Sequence, residues 1–493
     1  MSRILLLLLL LLAGCRSPPG GVLTVAVIGE GPLADDLAAE ASSATLLRHG
    51  PAGELATGLA TSWRFLDEGD SVILRLAPQR WPAAAGAPVA SGQELVAADI
   101  VTSLRRPRDA AARAVLADAG LAARGTVRAP ITRVVELLPR PATPFLLDWL
   151  AQPALAVRNR RGAAFPGLYV QTRSAGVITL LRRADAPLAI AQAARIIIER
   201  PDAAAAARRF ASGELQVVLG EGLGGLATAR TGATGRALVV EAVHGVIGLA
   251  IMPAAVMPGQ GALADPHLRR ALLLAADGAA LANRMALSAL QPQNRLWDGL
   301  PVPGDARSLP RAERLAQAAE LLAAAGYGPD QPLRPLQLTL LAASGAEAGL
   351  IADELASRLR PLGIVLKIVR GRHNGSSGGN RGNRVVPRHD LALQELGVRV
   401  PDAVAHLSRW RCGRALPCSA AADALLAEAR SAGNDLPARA AALTAAEAAL
   451  MADPAFIPLL RPVRWALVAR GVTGFQANTT GHHPLARIRP AGA

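Results

Sequence analysis

A helix that crosses a bilayer needs about 20 consecutive apolar residues. Past Leu12 this chain offers no such stretch, because every later apolar run is broken by a charge, a glycine or a proline. Hydrophobic side chains make up 51% of the 493 residues and charged ones 18%, so the apolar groups must find burial in a folded core. The length allows two or three structural domains.

Periodicity says what kind of core. Val72, Leu74 and Leu76 alternate along residues 71–76, the pattern of a strand with one buried face. Further short strands are expected at 23–28, 134–138, 177–181, 194–199, 215–219, 364–369, 390–394, 457–460 and 465–468. Helical patterns fall between them, at 145–150, 202–211, 265–275, 311–325, 349–362, 422–431 and 437–451. Asp99 is expected to cap one more, carrying Ile100, Val101 and Leu104 on one face. A Gly/Asn/Arg/Ser-rich loop occupies 370–384. Strands and helices in mixed order, with no repeat period, predict an α/β to α+β chain.

The first residues address the protein. Arg3 precedes the apolar run Ile4 to Leu12, too short to span a bilayer but suited to a signal peptide. The run ends in Leu12-Ala13-Gly14-Cys15, which resembles the bacterial lipobox. Acylation of Cys15 would anchor the mature chain through lipid, with 16–21 as a tether. The remaining cysteines, Cys412 and Cys418, stand close enough to close a small disulfide loop in an oxidising compartment. Two separate thiols are the alternative; a zinc site would need further ligands, and none stand nearby.

The net charge of +15 comes from 53 basic and 38 acidic side chains. The arginines are spread along the chain and aromatics are only 3%, which describes a basic solvated surface rather than a nucleic-acid reader. Two motifs invite catalytic readings. Gly375-Ser376-Ser377-Gly378-Gly379 fits G-x-S-x-G, but no helix follows to hold Ser377 as a nucleophile. Gly220 to Gly225 fits G-x-G-x-x-G with Glu241 suitably downstream, but Gly232 and Gly235 interrupt the helix a dinucleotide site needs. No enzyme, metal or cofactor is expected.

A series of landmarks resembles the bacterial extracellular solute-binding proteins of family 5, which include peptide- and nickel-binding receptors of ABC importers. Thr57-Gly58-Leu59-Ala60-Thr61-Ser62-Trp63 is similar to P-x-L-A-x-S-W, and Ala97-Ala98-Asp99-Ile100-Val101-Thr102-Ser103 to A-x-D-V-x-x-S. Val72 to Arg75 with Trp81 and Gly92 resembles F-x-L-R-x-G-V-x-F-x-D-G, and Ser212 to Gln216 resembles x-G-E-x-D. Leu268 to Leu272 with Asp277, Leu321 to Tyr327, and Ala446 to Leu459 follow in the family's order.

The resemblance implies a type II periplasmic-binding-protein-like α/β fold, two lobes around a cleft plus a small extra domain. Domain I would take 22–45, 165–245 and 468–493, domain II 46–164, and domain III 246–467. It implies a monomer that binds a peptide or other small solute by hinge closure, delivers it to an ABC permease, and has membrane contact only through its lipid anchor. In peptide-binding members an aspartate before a D-P-D-N segment holds the ligand's ammonium. The matching stretch here, Glu395 to Asp402, places Gly397 or Val398 there, neither of them charged. Glu395 or Arg399 could substitute and select another ligand end, such as a carboxylate, and Asp402 is expected to cap the next helix. Trp410 is read as a ligand platform or a core residue, and His482 and His483 as solvent-exposed. Arg269 is expected to pair with a carboxylate such as Asp277. The competing reading is a degenerate lipoprotein of the same fold with a structural or signalling role.

Overall fold

The computed structural model describes residues 20–82, 92–232, 237–256, 261–300, 309–371 and 388–492. Cys15, most of the tether and Ser377 lie outside the described residues. Among the described residues no helix is long and apolar enough to cross a membrane.

Three larger sheets organise the described residues, beside a two-stranded pair of Leu47–His49 with Leu55–Thr57. A seven-stranded sheet runs in the order Leu238–Ala242, Val463–Val468, Val217–Gly220, Val22–Ile28, Arg195–Glu199, Val177–Arg182, Tyr169–Ser174. Val22–Ile28 pairs parallel with both of its neighbours, and the other pairings are antiparallel. A five-stranded sheet has the order Ile364–Arg370, Leu336–Ala342, Leu391–Gly397, Gly245–Ile251, Phe456–Leu460. A four-stranded antiparallel sheet is built from Ala60–Leu66, Ser71–Leu76, Val134–Leu137 and Val127–Ile131.

Local chemistry explains the helix ends. Asp202 and Asp265 accept from the backbone N–H groups of Ala205 and His267, satisfying donors that the first turn leaves free. Pro266 then opens the helix Pro266–Ala275. Gly326, at φ 82, takes the left-handed turn that ends the helix Arg311–Ala324. Asp99 departs from expectation: it lies inside the first turn of Ala97–Arg105 and reaches back to the Val96 N–H at 3.1 Å and the Trp81 indole at 3.2 Å.

Apolar burial follows the sheets. One cluster lies against the five-stranded sheet and includes Leu249, Leu272, Leu340 and Ile457, while a second fills the four-stranded sheet around Leu74, Ile100 and Val135. Arg269 pairs with Asp453, not Asp277, through its Nε at 2.7 Å and its Nη2 at 2.8 Å. Asp277 instead meets Arg311 at 2.9 Å.

The chain passes from the seven-stranded to the five-stranded sheet at two adjacent points. Leu238–Ala242 runs on into Gly245–Ile251, and Phe456–Leu460 returns into Val463–Val468. Residues 243–244 and 461–462 are therefore the crossovers on which the two sheets are hung.

Candidate functional site

Asp298 ties the two crossovers together. Its Oδ2 lies 3.2 Å from Arg461 Nη1 and its Oδ1 lies 3.8 Å from His244 Nδ1. Burial pushes the Asp298 carboxyl up, but the nearby His244 ring and the charge of Arg461 bring it below the usual aspartate value. His244 also stacks on Trp297, with ring centroids 5.7 Å apart.

Beyond the crossovers the sheets face one another across charged contacts. Arg464, on Val463–Val468, forms an ion pair with Glu395 on Leu391–Gly397. The second oxygen of Glu395 accepts from the Leu223 N–H at 3.1 Å, in the loop that follows Val217–Gly220. Arg399 binds Asp36, on the helix Leu33–Ser42, at 2.6 Å. Glu347, buried at the start of the helix Ala346–Leu359, accepts from the Ala227 N–H at 2.7 Å.

In the glycine-rich segment 220–225 the Leu223 N–H is already taken by the Glu395 carboxylate. The segment's own Glu221 accepts from the N–H groups of Gly31 and Leu33, both at 2.6 Å, where an anion at that helix start would sit. Between the helix Leu33–Ser42, residues 151–153 and the C-terminal segment lies a cavity of about 10 Å³, lined by Glu40, His49, Gln152, Arg399, Thr480 and His482. It has room for about one water molecule. Burial raises the Glu40 carboxyl; the ring of His482, with His49 and Arg399 behind it, more than reverses that and holds it low. A roomier cavity of about 450 Å³ lies away from this junction, among ion-paired arginines and carboxylates such as Arg311, Asp277, Arg358 and Glu354.

The structure brings some of the expected site residues together and sets others apart. Glu395 and Gly397 sit on the strand facing the junction, and the Val398 N–H donates to the carbonyl of the crossover residue His244 at 3.0 Å. Trp410 is only 5% exposed; its ring meets His406 at 5.2 Å and Phe456 at 5.4 Å in the interior. His482 and His483 are buried rather than exposed. Each is taken out of water with its own carboxylate: His482 pairs with Glu40, and His483 lies 3.3 Å from Glu241 and stacks on Phe475 at 4.1 Å. Cys412 and Cys418 are joined by a disulfide with their Cα atoms 5.0 Å apart. Asp402 caps the helix Ala403–Leu407 through the Val404 N–H at 3.0 Å.

Sequence reasoning passed over Arg464, Asp298 and Glu221. Each becomes conspicuous only through a partner far along the chain; Glu221, for example, bonds residues 188 and 190 positions away.

The model of the family described as "Bacterial extracellular solute-binding proteins, family 5 Middle" matches residues 58–415. No curated protein sequence matches the chain. Among solved structures, Haemophilus influenzae OppA in complex with RPPGFSPFR is similar over 97% of this chain and 100% of its own, at 17% identity and TM-score 0.75. The Escherichia coli murein tripeptide binding protein MppA is similar over 97% of this chain and 100% of its own, at 19% identity and TM-score 0.76. Burkholderia pseudomallei OppA is similar over 96% and 99%, at 20% identity and TM-score 0.73.

Proposed function

The chain belongs to the bacterial extracellular solute-binding proteins of family 5, and on that premise we propose that it is the lipid-anchored receptor of an ABC importer, closing on a peptide or peptide-like solute and delivering it to a permease. The observation that carries this reading is the open edge of Leu391–Gly397. That strand pairs with Gly245–Ile251 along its whole length, but with Leu336–Ala342 only at Leu391 and Ala392. Residues 393–397 thus offer main-chain groups to an extended guest, which would add as a further strand between the two sheets. Glu395, Gly397 and Val398 would line it, with Arg399 at its end.

Opening would turn on the two crossovers, residues 243–244 and 461–462, as a hinge. The contacts Arg464–Glu395, Arg399–Asp36 and Glu347–Ala227 would then be those made on closure, and a bound solute would favour the closed state by its differential affinity. Domain I would hold the seven-stranded sheet, domain II the four-stranded one and domain III the five-stranded one.

Native mass spectrometry of the detergent-solubilised protein tests the reading. A co-purified solute is expected, together with a smaller radius of gyration in solution scattering once it is rebound. A chain that stays empty and unchanged in size across peptide and metal libraries would point to the degenerate structural lipoprotein instead. The anchor has its own test: Cys15→Ser should abolish incorporation of labelled fatty acid and release the chain from membranes, and unchanged labelling would refute it.

A further inference from the structure

Three glycines make room for one arginine–carboxylate pair. A Cβ on Gly397 would come within 2.5 Å of Arg464 Nη2, and one on Gly481 would overlap the Arg464 stem. A Cβ on Gly222 would overlap the Glu395 carboxylate. The place where a side chain at 397 would project therefore holds a guanidinium, 20% exposed, at the junction of the two sheets.

We propose that Arg464 reads an acidic group on the solute, so that the preferred guest presents a carboxylate at this point and needs no free ammonium. The inference rests on the solute-receptor reading and names the ligand class for the same site.

Both oxygens of Glu395 are committed, one to Arg464 and one to the Leu223 N–H. Arg399 and Asp36 neutralise each other. Asp298 is held between His244 and Arg461. Arg464 is set apart by its place over Gly397: Nη1 serves Glu395 and the Val463 carbonyl, while Nη2 fills the space of a side chain at 397 and neither it nor Nε donates to an acceptor among the described residues. Those two donors are the fork that binds a carboxylate in two parallel hydrogen bonds. An ammonium placed there would instead meet the guanidinium, while both oxygens of Glu395 are already engaged.

Four pools of the same synthetic tripeptides test this, with free or acetylated N-termini and free or amidated C-termini, titrated by calorimetry against the detergent-solubilised mature protein. Acetylation should leave affinity within about threefold, whereas amidation should weaken it about tenfold or more. Arg464→Gln should lose about tenfold for the acid pools and little for the amidated ones, and Arg464→Lys should recover part of the loss. Should Arg464→Gln misfold by circular dichroism, the end-group comparison on the unaltered protein decides alone. Preference for free-amine, amidated peptides overturns the inference and leaves the receptor reading standing. Binding of none of the four pools overturns both the inference and the peptide reading.

Discussion

Replacing Arg439 by methionine should lower the unfolding free energy by about 3–5 kcal/mol, the cost of leaving one member of a buried ion pair without its partner. Arg439 is 5% and Asp402 3% exposed, and Arg439 Nη2 donates to Asp402 Oδ1 at 2.7 Å. The guanidinium also reaches the Ala429 carbonyl at 3.3 Å, so it pins the end of the helix Ala420–Ser431. Burial lowers the Arg439 pKa while Asp402 raises it, which is the balance expected of a cation held in the interior by one carboxylate. Asp402 is the more exacting partner. It caps Ala403–Leu407, and its second oxygen accepts from the Trp149 indole at 3.4 Å, on a helix packed against the four-stranded sheet. Without Arg439 the carboxylate keeps two neutral donors and no positive charge. Adding Asp402→Asn to Arg439→Met should return most of the loss, because asparagine still caps the helix and carries no charge to strand. Urea denaturation at neutral pH measures both variants. A single variant within about 1 kcal/mol of the unaltered chain, or a double variant no better than the single, would refute the account.

The sequence was legible where a feature is local. The strands expected at 71–76 and 364–369 carry enough apolar contrast to be read directly, and the helices expected at 202–211 and 265–275 are legible because their capping carboxylates and the N–H groups they accept from lie within three residues. The Cys412–Cys418 bridge is local in the same sense. Gly245–Ile251 was passed over for a physical reason: it lies inside its sheet with both faces covered, so it shows no alternation to read. Tyr169–Ser174 fails the other way, as an edge strand with little apolar surface. Pairing at a distance was the larger gap. A nearby carboxylate, Asp277, was the natural guess for Arg269, yet the fold supplies Asp453 from 184 residues away. His482 and His483 read as solvent-exposed because adjacent residues on a strand point apart, whereas the fold buries both and brings Glu40 to His482 from 442 residues away. The candidate site suffers in the same way: its strand could be placed from the family's motifs, but Arg464, which fills the space over Gly397, is visible only once the two sheets are brought together.

Acid should weaken the fold from about pH 6.5 downward, and two buried imidazoles, His406 and His482, should be the cause, His406 being the one that can be isolated. Its ring lies among Trp297 at 5.1 Å, Trp410 at 5.2 Å and the Leu296 carbonyl, to which Nε2 donates at 3.0 Å. Burial, followed by the nearby charge of Arg409, pushes the imidazole down from 6.5 to about 3, while the bond to Leu296 opposes the shift only in part. Above pH 6.5 neither the folded nor the unfolded chain protonates this residue, and it costs nothing. Below 6.5 the unfolded chain takes up a proton that the folded chain refuses until about pH 3. Stability therefore falls with pH across that window, by about 2–3 kcal/mol between pH 7 and pH 4.5 from this one group. Asp298 and Glu40, whose carboxyls are held low in the fold, add losses of the same sign only further down, from their ordinary values of 3.8 and 4.5, while His482, lowered by burial, adds one from 6.5 down. Glu447, raised by burial, works the other way, being stabilising toward acid. All of these groups are present in a His406→Phe variant, so the difference between the two stability curves isolates the imidazole of His406. The phenylalanine ring keeps the aromatic packing and gives up the hydrogen bond to Leu296, costing about 1 kcal/mol at neutral pH. The variant should start lower at pH 7.5, lose less on acidification, and equal or overtake the unaltered chain by about pH 5. Curves that stay parallel from pH 7.5 to pH 4.5 would show that the ring is protonated in the fold after all, with the positive charge shared among the tryptophans that surround it.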